Sequence, residues 1–281
     1  MMMWKSVVLM VLVVVFGGSS GASAVPITNG LVAGYEFNGN ANDVSGNGND
    51  GVVNGALLTT DRFGNAGSAY SFDGVNDYID LGNQNFGTSV SVSLWVNADQ
   101  VGPYPQALIG KFDGSAGTST EQTFSLIIHY QEPPVFNEFE WQVSESGLDL
   151  SSEISSTRAV PNDWYHVVGT YDSGEAKIFV DGVEEASWNT GFGSLYNSDV
   201  HLVLGMFTHD YPVVGGLPFD GRLDDVYIYD RALSPTEVST LYSVIPEPNT
   251  ALLLGFGLVG LGIKTRRIRG ASHSGDGRAS S

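Results

Sequence analysis

Val90-Ser91-Val92-Ser93-Leu94-Trp95-Val96 decides the fold class. Val90, Val92, Leu94 and Val96 recur every second residue and share one face, the period of a half-buried β-strand. Outward from it, Phe124–Ile128 (FSLII), Trp164–Tyr171 (WYHVVGTY), His201–Met206 (HLVLGM) and Leu223–Tyr229 (LDDVYIY) read as further short strands. Lys177–Val180, Asp181-Gly182 and the run from Val183 read as a hairpin, because Asp-Gly supplies the positive φ that a tight primed turn needs. Trp95 and Trp164 fall inside strand patterns and are expected in the core, whereas Ser144–Ser156 and Gly114–Thr120 read as loops. The one helical signal is Ser234–Tyr242, with Ser234 as N-cap, Pro235 at the first position and Glu237 completing a capping box. Short strands separated by turn signals from Leu31 to Tyr242 predict one all-β domain, an antiparallel two-sheet sandwich or jelly roll.

The chain has 281 residues, with 31 acidic and 12 basic side chains. Residues 25–245 hold 29 of the acids and six of the bases, a net charge of −23. Such a surface repels phosphate backbones, so nucleic acid is not an expected partner. It attracts divalent cations and basic proteins, and it keeps an exported protein soluble. With no Cys, disulfides, thiolate metal sites and cysteine catalysis are excluded. Fourteen Phe, twelve Tyr and five Trp are ample for a core.

Both ends read as addresses. Residues 1–24 have the form of a secretory signal peptide: Lys5, the apolar run Val7–Phe16, then Ala22-Ser23-Ala24 as a cleavage site. The domain is expected at 25–243, followed at 244–269 by a second tripartite segment and at 270–281 by a polar tail. That segment is Pro246-Glu247-Pro248, the uncharged run Ala251–Ile263, then Lys264, Arg266, Arg267 and Arg269. The cations favour a cytoplasmic end. A helix of 13 residues covers only about 20 Å of a ~30 Å hydrocarbon core, which suits transient anchoring.

The order Pro-Glu-Pro, apolar helix, Arg-rich end resembles the PEP-CTERM sorting signal of Gram-negative bacteria. The resemblance implies transient inner-membrane association, processing by an exosortase-type membrane protease near Pro246, Glu247 and Pro248, with Arg266 and Arg267 in the basic cluster, and delivery to the cell envelope, surface or extracellular matrix. In the middle, Leu31–Gly51 (LVAGYEFNGNANDVSGNGNDG), Tyr70–Leu81 (YSFDGVNDYIDL), Val92–Val96, Trp164–Lys177, Ile178–Gly182 and Gly221–Leu241 (GRLDDVYIYDRALSPTEVSTL) resemble the laminin G-like, concanavalin A-like lectin/glucanase group. That resemblance implies an antiparallel jelly roll of about a dozen strands. It also implies a structural calcium joining an early loop to an Asp before the last strand, which here points to Asp43, Asn49 and Asp225.

Three candidate sites follow. Asn38–Asp50 (NGNANDVSGNGND) is dense in oxygen donors of the kind calcium takes, although the same residues are turn formers. Asp73, Asn76 and Asp77 form a second oxygen-rich turn. Asp224-Asp225, in a regular strand, would face opposite sheet surfaces. Glu138 and Glu140 are two apart and project from one face of a strand, as a glycosidase pair would. The concanavalin A-like glucanases resembled here carry E-x-D-x-E on that strand; this chain has Glu138-Phe139-Glu140-Trp141-Gln142, which breaks the pattern. Tyr130, Trp141, Trp188, Tyr196 and Tyr211, read as lying in or near loops, are candidates for stacking on a sugar ring. His129, His166, His201 and His209 lack metal-ligand spacing. The reading is a non-catalytic module binding a carbohydrate or matrix protein. The alternatives are a glycoside hydrolase of the same fold and a structural matrix protein.

Overall fold

The computed structural model describes residues 27–113, 121–131, 137–207 and 216–243. Tyr211, Pro246, Glu247, Pro248, Arg266 and Arg267, with the signal peptide and the C-terminal apolar helix, lie outside the described residues. Among the described residues no helix is long and apolar enough to cross a membrane.

In chain order the strands are β1 (Leu31–Tyr35), β2 (Val52–Asn54), β3 (Leu57–Thr60), β4 (Ala66–Asp73), β5 (Tyr78–Asp80), β6 (Ser89–Ala98), β7 (Gln106–Asp113), β8 (Glu121–Ile128), β9 (Glu138–Val143), β10 (Ser151–Arg158), β11 (Trp164–Asp172), β12 (Glu175–Val180), β13 (Val183–Asn189), β14 (Val203–Leu204) and β15 (Asp220–Tyr229), followed by α1 (Pro235–Ser243). They form two antiparallel sheets. The eight-stranded sheet runs β13-β12-β11-β6-β15-β4-β3, with β1 also on β15; the seven-stranded sheet runs β10-β9-β8-β7-β14-β5-β2.

The alternation of β6 becomes the core. Val90, Val92, Leu94 and Val96 are buried between the sheets and meet Phe124, Leu126 and Ile128 of β8 and Phe139, Trp141 and Val143 of β9 in one cluster. A second cluster lies on the outer face of the eight-stranded sheet, where Val168, Phe179, Tyr227 and Tyr229 are covered by Leu233 and by Val238 and Leu241 of α1. The capping box forms as its spacing predicts: Ser234 N donates to Glu237 Oε2 at 2.8 Å and Glu237 N to Ser234 Oγ at 3.3 Å. Arg231 adds a two-pronged ion pair to Glu237, 3.0 and 2.6 Å, which fixes the helix start to the end of β15.

Several expectations change. Trp95 and Trp164 are strand residues but are only partly buried and outside the inter-sheet core: on β6 the apolar positions are the even-numbered ones, so Trp95 falls on the outer face. There it stacks on Tyr242 at 5.7 Å, while Arg222 lies over Trp164 at 5.6 Å. The Ser-rich stretch read as a loop contains β10, an edge strand paired to β9 from Ser151. The strand read at His201–Met206 shortens to Val203–Leu204.

Candidate functional site

Alternation along β9 sorts its side chains into two sets. Phe139, Trp141 and Val143 enter the core, so Glu138, Glu140 and Gln142 line up on the outer face of the seven-stranded sheet. The sequence places both Glu on one face, and the structure agrees. The same alternation corrects Trp141, which is fully buried on β9 rather than near a loop and cannot stack on a ligand. Its Nε1 donates to Thr170 O at 3.1 Å, and its ring lies against Gly169.

Each member of the acidic row has a partner from a neighbouring strand or its end. Glu140 Oε2 is 2.6 Å from His129 Nδ1, just beyond β8. Arg158 Nε of β10 donates to Glu138 Oε1 at 3.2 Å. Gln142 Oε1 accepts from Gln122 Nε2 at 3.0 Å and from Ser125 Oγ at 2.8 Å, both on β8. Glu138 Oε2 is buried with no hydrogen-bond partner. Beside Glu140 in the register sits Ile127, which forms an apolar cluster with Ala107 and Phe207. The face therefore sets carboxylate and amide acceptors beside guanidinium and imidazole groups and a buried apolar cluster; Glu138 and Glu140 are themselves largely buried. His129 and Arg158 were not singled out for this role, because their strand register with β9 is a long-range property of the fold.

The described aromatic candidates lie on different segments of the chain. Tyr130 follows His129, its ring against Gly102. Trp188 on β13 donates Nε1–H to Ser151 Oγ of β10 at 2.9 Å and bridges the edges of the two sheets. Tyr196 lies over Gly147.

In the opening loop, Asp43 Oδ1 accepts from Gly34 N at 2.9 Å and Ser45 N at 2.8 Å, and Oδ2 from Ser45 Oγ at 2.7 Å and Asn49 N at 3.0 Å. Burial pushes the Asp43 carboxyl up, and these donors outweigh it, leaving its pKa below the ordinary value. Asn49 donates its side-chain amide to Val32 O at 2.9 Å, and its carbonyl accepts Tyr35 O–H at 2.6 Å. In the second turn, Asp73 Oδ1 accepts from Val75 N and Asp77 Oδ2 from Asp73 N, at 2.8 and 3.0 Å.

Asp225 is not in regular strand conformation. Its φ is +44° and the ladder slips between Asp224 and Tyr227, so a β-bulge turns both adjacent carboxylates to the same side. They clamp one guanidinium: Arg62 Nη1 is 2.5 Å from Asp224 Oδ2 and Nη2 2.6 Å from Asp225 Oδ2. The guanidinium lies 4.5 Å above the Trp95 ring and 4.3 Å from that of Phe63. A calcium shell needs oxygens that face a common centre. Here the Asp43 oxygens face N–H and O–H hydrogens, and Asp225 faces a cation already supplied by the chain. Asp43, Asn49 and Asp225 in this arrangement do not fit a calcium ion. Among the described residues no group of three or more His, Asp or Glu is placed to hold a metal.

Comparison with known proteins places this geometry in a family. The model described as the concanavalin A-like lectin/glucanases superfamily matches residues 73–239, and that of the PEP-CTERM protein-sorting motif matches residues 244–267. A comparison with curated proteins gives no match. Among solved structures the chain is similar to domain 4 of AbnA, a GH43 extracellular arabinanase from Geobacillus stearothermophilus, in complex with arabinotriose (23% identity, TM-score 0.60, 76% of this chain and 98% of that one). It is also similar to the binding domain of Paraclostridial Mosquitocidal Protein 1 (16%, TM-score 0.61, 76% and 52%). A third is the Botulinum neurotoxin serotype D ligand binding domain in complex with N-acetylneuraminic acid (18%, TM-score 0.57, 77% and 51%). The chain thus spans about half the length of the two toxin domains, and the three share its fold. The family match covers more than half of the sequence, and the chain belongs to the concanavalin A-like lectin/glucanases superfamily, with a PEP-CTERM protein-sorting motif at its C-terminal side.

Proposed function

We propose that this is an exported carbohydrate-binding module, delivered to the cell envelope by exosortase-type processing of its C-terminal segment, and that it binds glycan without cleaving it. The observation that carries this reading is the row Glu138, Glu140 and Gln142 on the outer face of the seven-stranded sheet, held by Arg158, His129 and Ser125. Sugar hydroxyls both donate and accept, so they suit a face on which a row of acceptors lies beside basic side chains, and charge-assisted bonds of this kind are the strong ones. Side chains already ordered by ion pairs lose little freedom on binding. The buried cluster of Ile127, Ala107 and Phe207 supports this face from beneath, with the partly buried Phe112 and Leu217 packed against it. Two proteins of the same fold, in complex with arabinotriose and with N-acetylneuraminic acid, support the ligand class. Tyr130, adjacent in sequence to His129, and Trp188 are the described aromatics kept as ligand-contact candidates; Tyr211 is kept as a candidate from the sequence alone.

Cleavage is the second reading, favoured by one observation: Glu138 and Glu140 share a face, with Glu138 Oε2 buried and unpartnered. Against it, each carboxylate already has a basic partner, and the third position of the row is an amide. Calorimetric titration of the protein with arabino- and sialo-oligosaccharides separates the two. The module reading expects heat of binding for one of them, at least tenfold weaker in Arg158→Ala, with no reducing ends released by the wild type. Release of reducing ends that stops in Glu138→Gln would establish cleavage instead.

A further inference from the structure

The two flanks of the sandwich are finished differently. On one, the edge strands β10 and β13 close on each other. Glu185 of β13 accepts from Ser156 N at 2.8 Å and Thr157 N at 2.9 Å with Oε2, and from Thr157 Oγ1 at 2.6 Å with Oε1. An acid that takes the N–H groups of an edge strand stops another strand from adding there. On the other flank the outermost strands are β3 and β2, formed by Gly51–Thr60 (GVVNGALLTT), ten residues without a charge. Leu57 of β3 is 69% exposed and Val52 of β2 is 62% exposed. On β2 the Asn54 amide takes Val52 O at 3.1 Å, which leaves β3 as the open edge.

An exposed, uncharged, apolar edge is a template for strand addition. The charge balance selects the added strand. At −23, residues 25–245 attract a basic partner to their acidic faces, not to this neutral strip. Two copies repel each other everywhere except where uncharged surfaces meet, and every copy carries the same edge, as a two-fold contact requires. We infer that β3 pairs antiparallel with β3 of a second copy, joining the two eight-stranded sheets into one.

The test is sedimentation of the purified protein from about 1 to 200 μM, at low salt and at about 0.5 M NaCl. A dimer is expected, tighter at high salt because the repulsion between copies is screened. Leu57→Lys, at an exposed position, is expected to sediment as a monomer with an unchanged circular dichroism spectrum. Because the chain has no Cys, Leu58→Cys and Thr59→Cys variants report the contact directly: at least one forms a disulfide-linked dimer on mild oxidation, whereas Val183→Cys on the sealed flank does not. A monomer under all conditions overturns the inference, and so does a dimer that persists in Leu57→Lys or cross-links as readily through Val183→Cys.

Discussion

Gly169 of β11 lies against the Trp141 indole of β9, so close that a Cβ at Gly169 would stand 2.3 Å from the ring. Trp141 Nε1 donates to the carbonyl of the next residue, Thr170, at 3.1 Å. One contact therefore clasps the two sheets and holds the strand that carries the acidic row. Gly169→Ala is expected to destabilise the protein by about 1–3 kcal/mol through overpacking, and Trp141→Ala by about 3–5 kcal/mol through the cavity it leaves. Urea titrations followed by circular dichroism check both. A neutral Gly169→Ala would show that the sheets can move apart at this point.

Arg62 is the only positive charge contacting Asp224 and Asp225 among the described residues. Burial raises the pKa of both acids, the Asp225 charge adds to the rise at Asp224, and Arg62 opposes it at both. Arg62→Met leaves two adjacent acids without their counter-charge, with an expected cost of about 3–5 kcal/mol at pH 7. Adding Asp224→Asn and Asp225→Asn to that variant is expected to recover part of the loss, because the uncompensated charge is removed. If Arg62→Met melts like the wild type, the clamp contributes nothing to stability.

Glu36 directly follows β1, near this cluster, and its carboxyl is pushed up to about 7, first by burial and then by the nearby Asp225 charge. A raised folded-state pKa means that the folded protein keeps a proton which the unfolded chain has already released. The stability this proton confers is complete below the ordinary carboxylate range and disappears as pH rises through 7. Glu36→Gln is expected to be more favourable relative to wild type at pH 8 than at pH 5, by about 1–2 kcal/mol. Equal effects at the two pH values would mean that Glu36 ionises normally in the folded state.

Asp43 has the opposite sign. Its pKa lies below the ordinary value, so its contribution is present at neutral pH and is lost only as acid protonates it. Asp43→Ala leaves the donors of Gly34, Ser45 and Asn49 unmatched and is expected to cost about 1–3 kcal/mol. Because those donors, not a cation, satisfy the carboxylate, calcium and chelator are expected to leave the melting temperature within about 1 °C. A calcium-dependent rise that vanishes in Asp43→Ala would show that the loop rearranges around the ion.

The strands were legible because their signals are local. Val90 to Val96 alternates, Asp181-Gly182 turns a hairpin, and Ser234 and Glu237 box a helix, and each is where its spacing places it. The burial of Trp141 escapes a reading that places it near a loop, although Glu138 and Glu140 facing outward on the same strand force it inward. The bulge at Asp225 was not legible, because a positive φ at an Asp within LDDVYIY follows from how β15 divides its pairing between β4 and β1. Nor was the pairing of Glu140 with His129 or of Glu138 with Arg158, which depends on the register of three strands. The Asn/Asp-rich loop is ambiguous in sequence for a chemical reason: the oxygens that would ligate calcium are the ones that accept backbone N–H in a turn.

The central claim, that the acidic row binds glycan without cutting it, is tested most directly by a glycan array probed with the protein and with Glu140→Gln and Arg158→Ala, with a reducing-end assay on every glycan retained. The account predicts retention of a defined set of glycans by the wild type, loss of that retention in both variants, and no new reducing ends. Retention unchanged in both variants, or reducing ends appearing with the wild type, would contradict it.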